Sequence, residues 1–329
     1  AGSVPPVADP QALTALQKQY SDHQMSLWQS VLARQQGREE SFKVNPEAGD
    51  RRFAAPEWRE SPVYDYLHQA YLLNTKFVKD LVELTPAADD KARNRMRFLA
   101  RQIVDAMAPS NYAATNPEFI KLAVETKGQS ISDGINNLIR DFEKGRISMT
   151  DESVFEVGRN IANTEGAVVF ENELMQLIQY SPLTPKVGTR PMVVVPPCIN
   201  KFYIMDLQPD NSLIRFMVDQ GNTVFLVSWR NPTEAQGHLT WEDYIEHGPI
   251  AALHVAQEIC KVKQVNALGF CVGGTILTSA LSVLKGRGED VAASLTLLTT
   301  LLDFSDTGEL GLFIDDNGLM ARESTIGKG

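Results

Sequence analysis

Val265-Asn-Ala-Leu-Gly269-Phe-Cys271-Val-Gly273-Gly-Thr-Ile276 decides how this chain folds. Val265 to Leu268 is an apolar run of strand length, Val272 to Lys285 carries helical spacing, and a Gly-x-Cys-x-Gly pattern stands between them. Glycines on either side relieve a sharp strand-to-helix turn and leave the central residue held above the sheet edge. Here that residue is the thiol Cys271. A helix N-terminus favours anions, thiolates included, and its backbone N–H groups can bind an oxyanion. The pattern therefore predicts a nucleophile for acyl transfer. An inert cysteine in a glycine-rich turn would carry the same letters, and it is the strand-turn-helix placement that favours the nucleophile.

Outward from this turn the texture stays that of an α/β protein. Met192 to Val195, Thr223 to Val227 and Ser294 to Leu302 read as further buried parallel strands, and Ser212 to Gln220 and Trp241 to Cys260 as the helices between them. Gly166 to Phe170 and Leu174 to Tyr180, joined by Glu171-Asn172-Glu173, read as the two strands that open the sheet. The fold class is α/β, with an incomplete parallel sheet like that of the α/β hydrolases. Before Asp151 the period is helical: Leu13, Leu16 and Tyr20, then Met25, Leu27, Trp28, Val31 and Leu32, with further stripes over Tyr64 to Leu84 and Asp89 to Met107. Pro109, Pro117 and Gly128 punctuate this half. Gly37 to Pro62 interrupts it with a polar stretch whose aromatics Phe42, Phe53 and Trp58 read as core anchors. Two domains follow, a helical one over 1–150 and the first part of a catalytic domain over 151–329 that ends in a cap region.

Composition narrows the function classes. The 329 residues carry 43% hydrophobic and 22% charged side chains, a net charge of -10 and a pI near 5.1. An acidic chain with no basic run argues against nucleic acid or an anionic membrane surface as partner. The basic stretch Lys91 to Arg101 interleaves Met96, Phe98 and Leu99 and reads as a solvated helix face. No apolar run approaches the roughly 18 residues of a membrane span, and Cys198, Cys260 and Cys271 form no Cys-x-x-Cys pair or metal-ligand spacing. The expectation is a cytoplasmic protein without a metal. Nucleotide-binding glycine loops and zinc-peptidase motifs are missing from the sequence. Both ends, Ala1 and Gly327-Lys328-Gly329, read as trimmed.

Two other strand ends carry candidate site residues. Met192-Val-Val-Val-Pro-Pro-Cys198-Ile199-Asn200 runs into a rigid turn whose Ile199 or Cys198 N–H is placed to be the second oxyanion donor; a plain strand-terminating turn reads equally well. Ser228-Trp-Arg-Asn-Pro232 ends a neighbouring strand as a pocket wall or as a structural Trp. Cys260 reads as core. The five histidines, His23, His68, His238, His247 and His254, all precede Cys271 and read as surface or packing residues. In α/β hydrolases the acid and then the histidine follow the nucleophile, so Asp303 is a candidate acid with no base to orient.

Gly269-Phe-Cys271-Val-Gly273-Gly-Thr275, Val195-Pro-Pro-Cys198-Ile-Asn-Lys-Phe-Tyr203 and Ser228-Trp-Arg-Asn-Pro232 together resemble the class I polyhydroxyalkanoate synthases. The likeness extends through Asp151 to Asn160, Thr164-Glu-Gly166 and Leu297 to Phe304. It implies a cytoplasmic enzyme of polyester granules that polymerises (R)-3-hydroxyacyl-CoA, usually 3-hydroxybutyryl-CoA, with release of CoA and no other cofactor. It implies Cys271 as nucleophile, the Val272 and Ile199 N–H groups as oxyanion donors, and Cys198 and Asp206 near the active site. A homodimer and granule-associated proteins are the implied partners. The family's triad Asp and His would fall beyond Gly329, so this chain corresponds to the helical domain plus the first half of the catalytic domain, expected to be inactive alone. A cysteine-nucleophile thioesterase on the same fold is the alternative, and a non-catalytic granule- or partner-binding protein a further one.

Overall fold

The computed structural model describes residues 9–38, 42–47, 49–314 and 316–326. Ala1, Gly327-Lys328-Gly329 and positions 39–41 and 48 of the polar interruption lie outside the described residues. By its contacts the chain forms two compact units: one runs to Ser148 and takes in the residues from Gly308 on, the other is Met149–Thr307. The stretch read as the opening of a cap thus clusters with the helices.

In the first unit the helix starts follow from the sequence. The Asp9 side chain accepts from the Gln11 N–H and Pro10 opens α1 (Pro10–Gln35), while Asn116 caps α5 (Pro117–Glu125) and Pro117 opens it. Between them lie α2 (Glu57–Glu60), α3 (Pro62–Leu84) and α4 (Asp90–Ala106), the last capped by Asp89. α6 (Gln129–Lys144) ends on Gly145 in the left-handed conformation. Phe53, Trp58, Tyr71, Leu72 and Ala108 form the core, with Phe53 edge-on to Trp58 and stacked on His68 at 4.2 Å. Phe53 and Trp58 are the core anchors expected; Phe42 is half-buried beside His23.

The second unit holds a six-stranded sheet in the order β1-β2-β6-β3-β7-β8. β1 (Gly166–Glu171) and β2 (Met175–Tyr180) form an antiparallel hairpin, and β2 lies antiparallel to β6 (Val224–Trp229). β6, β3 (Met192–Val195), β7 (Val265–Phe270) and β8 (Ala292–Leu298) are parallel. A two-stranded ribbon, β4 (Asp206–Gln208) and β5 (Asn211–Ser212), precedes α7 (Leu213–Asp219). α8 (Trp241–Ile245), α9 (Ala251–Cys260) and α10 (Val272–Gly286) complete the unit, and α11 (Asp316–Ile326) lies in the first.

The continuous apolar runs are explained by burial on both faces. Val193, Val195, Phe225, Val227, Val265 and Ala267 face α9 and α10 through Leu253, Ala256, Ile276 and Leu277. Val194, Val224, Leu226 and Leu268 meet Ile214, Met217 and Val218 of α7 on the other. Each such Val, Leu, Ile, Met or Phe side chain contributes roughly 1.5–3 kcal/mol.

Two expected elements differ. The last strand stops at Leu298, because Thr299 takes a positive φ of 46° and turns the chain back over α10. The single helix expected from Trp241 to Cys260 is broken at Gly248 (φ -95°, ψ -105°) and Pro249, which has no N–H to continue the ladder.

Candidate active site

Cys271 caps α10 with φ 54° and ψ -130°, a conformation that a residue with a side chain adopts only under strain of about 1–3 kcal/mol. Packing holds it there. A Cβ on Gly269 would stand 2.3 Å from the Gly274 Cα, and one on Gly274 2.1 Å from the Thr300 Oγ1. One on Gly273 would stand 2.3 Å from the Val195 carbonyl oxygen and 2.5 Å from that of Pro196. Each glycine therefore lets a neighbouring segment close on the turn, and Gly273 brings the β3 loop against the first turn of α10. The Cys271 N–H donates to the Leu298 carbonyl at 2.9 Å, and the Thr275 hydroxyl to that of Leu301 at 2.8 Å. The strand end, the helix start and the loop after β8 form one bonded assembly, with the thiol half-buried at its top.

The Pro196-Pro197 turn brings Cys198 within electrostatic reach of Cys271. Burial pushes the Cys198 thiol up, and the neighbouring Cys271 adds to the effect. Burial likewise raises Tyr244, and the neighbouring Cys198 adds to the effect. The N–H groups of Val272 and Ile199 meet no acceptor among the described residues. The exposed Ile199 side chain follows the buried Pro196-Pro197 pair.

Asp206 sits elsewhere in the unit's bonding. Fully buried, its Oδ1 accepts from the Thr164 and Ser212 hydroxyls at 2.6 Å each, and its carbonyl accepts from the Ala162 N–H at 2.9 Å. It clasps the segment entering the sheet to the far end of the β3 loop, and Ser212 passes the contact on by capping α7. Its Oδ2 and the Tyr180 hydroxyl are buried without hydrogen-bond partners among the described residues, and burial beside Asp206 raises Tyr180. Asp303 is exposed in a turn on which the Ser305 N–H donates to its carboxyl, holding it below the usual carboxylate range. His68 is packed in the helical unit, His254 pairs with Glu289 at 3.0 Å, and the exposed His238 ring meets the Ala235 carbonyl at 3.0 Å.

Sequence reasoning missed how Trp229 is used. Its indole N–H is buried and donates to the Pro196 carbonyl at 2.8 Å, and Gly248 gives its ring room. The signal was present as Gly248-Pro249 inside a helical pattern.

A parallel sheet with a strained thiol on its strand-helix turn defines an α/β hydrolase fold, and the profile described as "alpha/beta hydrolase fold" matches residues 191–322. The profile described as "Poly-beta-hydroxybutyrate polymerase (PhaC) N-terminus" matches residues 49–217, half of the chain. The chain belongs to the polyhydroxyalkanoate synthase family. It is 52% identical to the poly(3-hydroxyalkanoate) polymerase subunit PhaC of Cupriavidus necator over 97% of its own length and 53% of that protein. With the poly(3-hydroxyalkanoate) polymerase of Methylorubrum extorquens it shares 38% identity over the same fractions. The chain thus spans about half the length of these relatives. A solved rPPE esterase aligns with 18% identity and a TM-score of 0.36, covering 50% of this chain and 51% of its own. Among the described residues no helix is long and apolar enough to cross a membrane.

Proposed function

We propose that this chain carries the nucleophile half of a polyester synthase that joins (R)-3-hydroxyacyl units, 3-hydroxybutyryl foremost, from their CoA thioesters. The observation that carries the reading is the strained Cys271 at the strand-helix turn, together with Val272 and Ile199 amides that meet no acceptor among the described residues. The thiolate of Cys271 attacks the thioester carbonyl, and the oxygen that becomes negative is received by those two N–H groups. Collapse of the tetrahedral intermediate expels CoA as a thiolate, which takes up the proton that Cys271 gave to its base, and leaves an acyl-thioester on Cys271. The hydroxyl of a hydroxyacyl unit then attacks that thioester, loses its proton and frees the thiol, lengthening the ester chain by one unit. A thiol suits this exchange because its thioester stays reactive toward an alcohol.

No histidine follows Cys271 in this sequence, so the base and its acid are assigned to the further length that the relatives have. Cys198 walls the site, Asp206 holds the loop that supplies Ile199, and the enzyme works in the cytoplasm at a polyester granule surface, as a homodimer, without a cofactor beyond the CoA of its substrate. The test is product analysis in the full-length polypeptide. Polymer and free CoA from 3-hydroxybutyryl-CoA, both lost in Cys271→Ala, support the proposal; free hydroxy acid as the main product makes the protein a thioesterase, and polymer formation by Cys271→Ala overturns the assignment.

A further inference from the structure

The Pro196 carbonyl is gripped from two sides. On one, the absent side chain of Gly273 lets the first turn of α10 approach so closely that a Cβ there would stand 2.5 Å from the Pro196 oxygen. On the other, the buried Trp229 indole N–H donates to that same oxygen at 2.8 Å. Trp229 closes β6, and its own place is built in. A Cβ on Gly248 would stand 2.5 Å and 2.9 Å from two carbons of the indole, and the α8–α9 helix breaks there, with Pro249 beside it. Tyr244 flanks the ring at 5.7 Å between centroids. A widened helical turn that gives up regular hydrogen bonds to seat one aromatic ring is a local cost, and such turns recur at functional sites.

Only two residues separate Pro196 from Ile199, and one of them, Pro197, fixes its φ angle at about -65°. The direction of the Ile199 N–H relative to the Val272 N–H is therefore set where the Pro196 carbonyl is held. We infer that Trp229 is a positioning residue of the oxyanion site, seated by Gly248, that fixes the spacing of the two donor amides through the Pro196 carbonyl. This rests on the acyl-transfer reading above. Trp229 touches no reacting atom; its effect is on the transition state, because the oxyanion exists only there, and ground-state binding of the thioester is left alone.

The test compares Trp229→Phe, which keeps a ring and removes the N–H, with Gly248→Ala, which keeps the indole and displaces it. Both are made in the full-length polypeptide, with CoA release from 3-hydroxybutyryl-CoA counted per Cys271 site titrated by the CoA released in the first turnover, so that unfolded molecules, which form no acyl-enzyme, drop out. Loss of a whole oxyanion donor lowers kcat by about 10²–10³; a misaimed one is expected to lower it roughly tenfold or more, with KM within about twofold, and the double variant should be no slower than the slower single one. An unchanged kcat per titrated site in Trp229→Phe, or a raised KM with kcat intact, overturns the inference and makes Trp229 packing or pocket wall. Undiminished CoA release by Cys271→Ala would instead remove the acyl-transfer reading itself, an outcome distinct from either.

Discussion

Glycines do opposite work in the helical unit and around Cys271. In the helical unit Gly37, Gly49, Gly128, Gly134 and Gly145 have nothing within 4 Å of where a Cβ would stand, and all but Gly134 serve left-handed turns. Around Cys271 three glycines each meet a neighbour at 2.1 to 2.5 Å: backbone oxygens at Gly273, a backbone carbon at Gly269 and the Thr300 side chain at Gly274. One region uses glycine for local backbone freedom, the other to bring segments distant in sequence into contact. The lesson is that the chemical site is fixed by packing from several sides, whereas the helical unit is a set of capped elements around a modest core, with Leu138, Ile139 and Phe142 of α6 left exposed.

The same substitution should therefore have opposite signs in the two places. Gly273→Ala puts a methyl into two carbonyl oxygens that cannot move without opening the sheet, and a loss of about 3 kcal/mol or more is expected in chemical denaturation. A stable, fully folded Gly273→Ala protein would break the contrast. Asp206→Ala leaves the Thr164 and Ser212 hydroxyls without their buried acceptor, and about 3 kcal/mol should be lost in the same measurement. Gly134→Ala, in the open interior of α6, should stabilise by up to about 1 kcal/mol, read as a raised Tm; a lowered Tm would mean that this face is covered.

A smaller effect concerns His68. Burial against Phe53 and Trp58 lowers its pKa below the unfolded value, so the unfolded chain takes up the proton first as the pH falls. The stability it contributes is complete above about pH 6.5 and declines below it, through the window down to the folded pKa. Melting at pH 7.5 and 5.5 should show a smaller difference in His68→Leu than in the parent; an equal difference would place the pH dependence elsewhere.

Much of this was legible in the residues. The elbow was readable because glycine spacing, an apolar run and a helical period met at Cys271, and the strand-ending Pro-Pro turn offered Cys198 or Ile199 as its expected partner, of which the resemblance selected Ile199. What escaped were contacts between segments far apart in sequence. No local pattern says that Trp229 reaches the Pro196 carbonyl, and Gly248-Pro249 reads as a mild fault in a helix until the indole is seen in the gap. Asp206 carried no local sign of its two hydroxyl partners, one of them 42 residues away. The early end of β8 likewise depends on Thr299 folding back, where the letters continue an apolar run.

The most direct test of the central claim is peptide mass mapping after brief exposure of the full-length polypeptide to 3-hydroxybutyryl-CoA. A hydroxybutyryl group is expected on the peptide that carries Cys271, formed in step with CoA release. CoA release with Cys271 unmodified and the acyl group on Cys198 or another residue would contradict it.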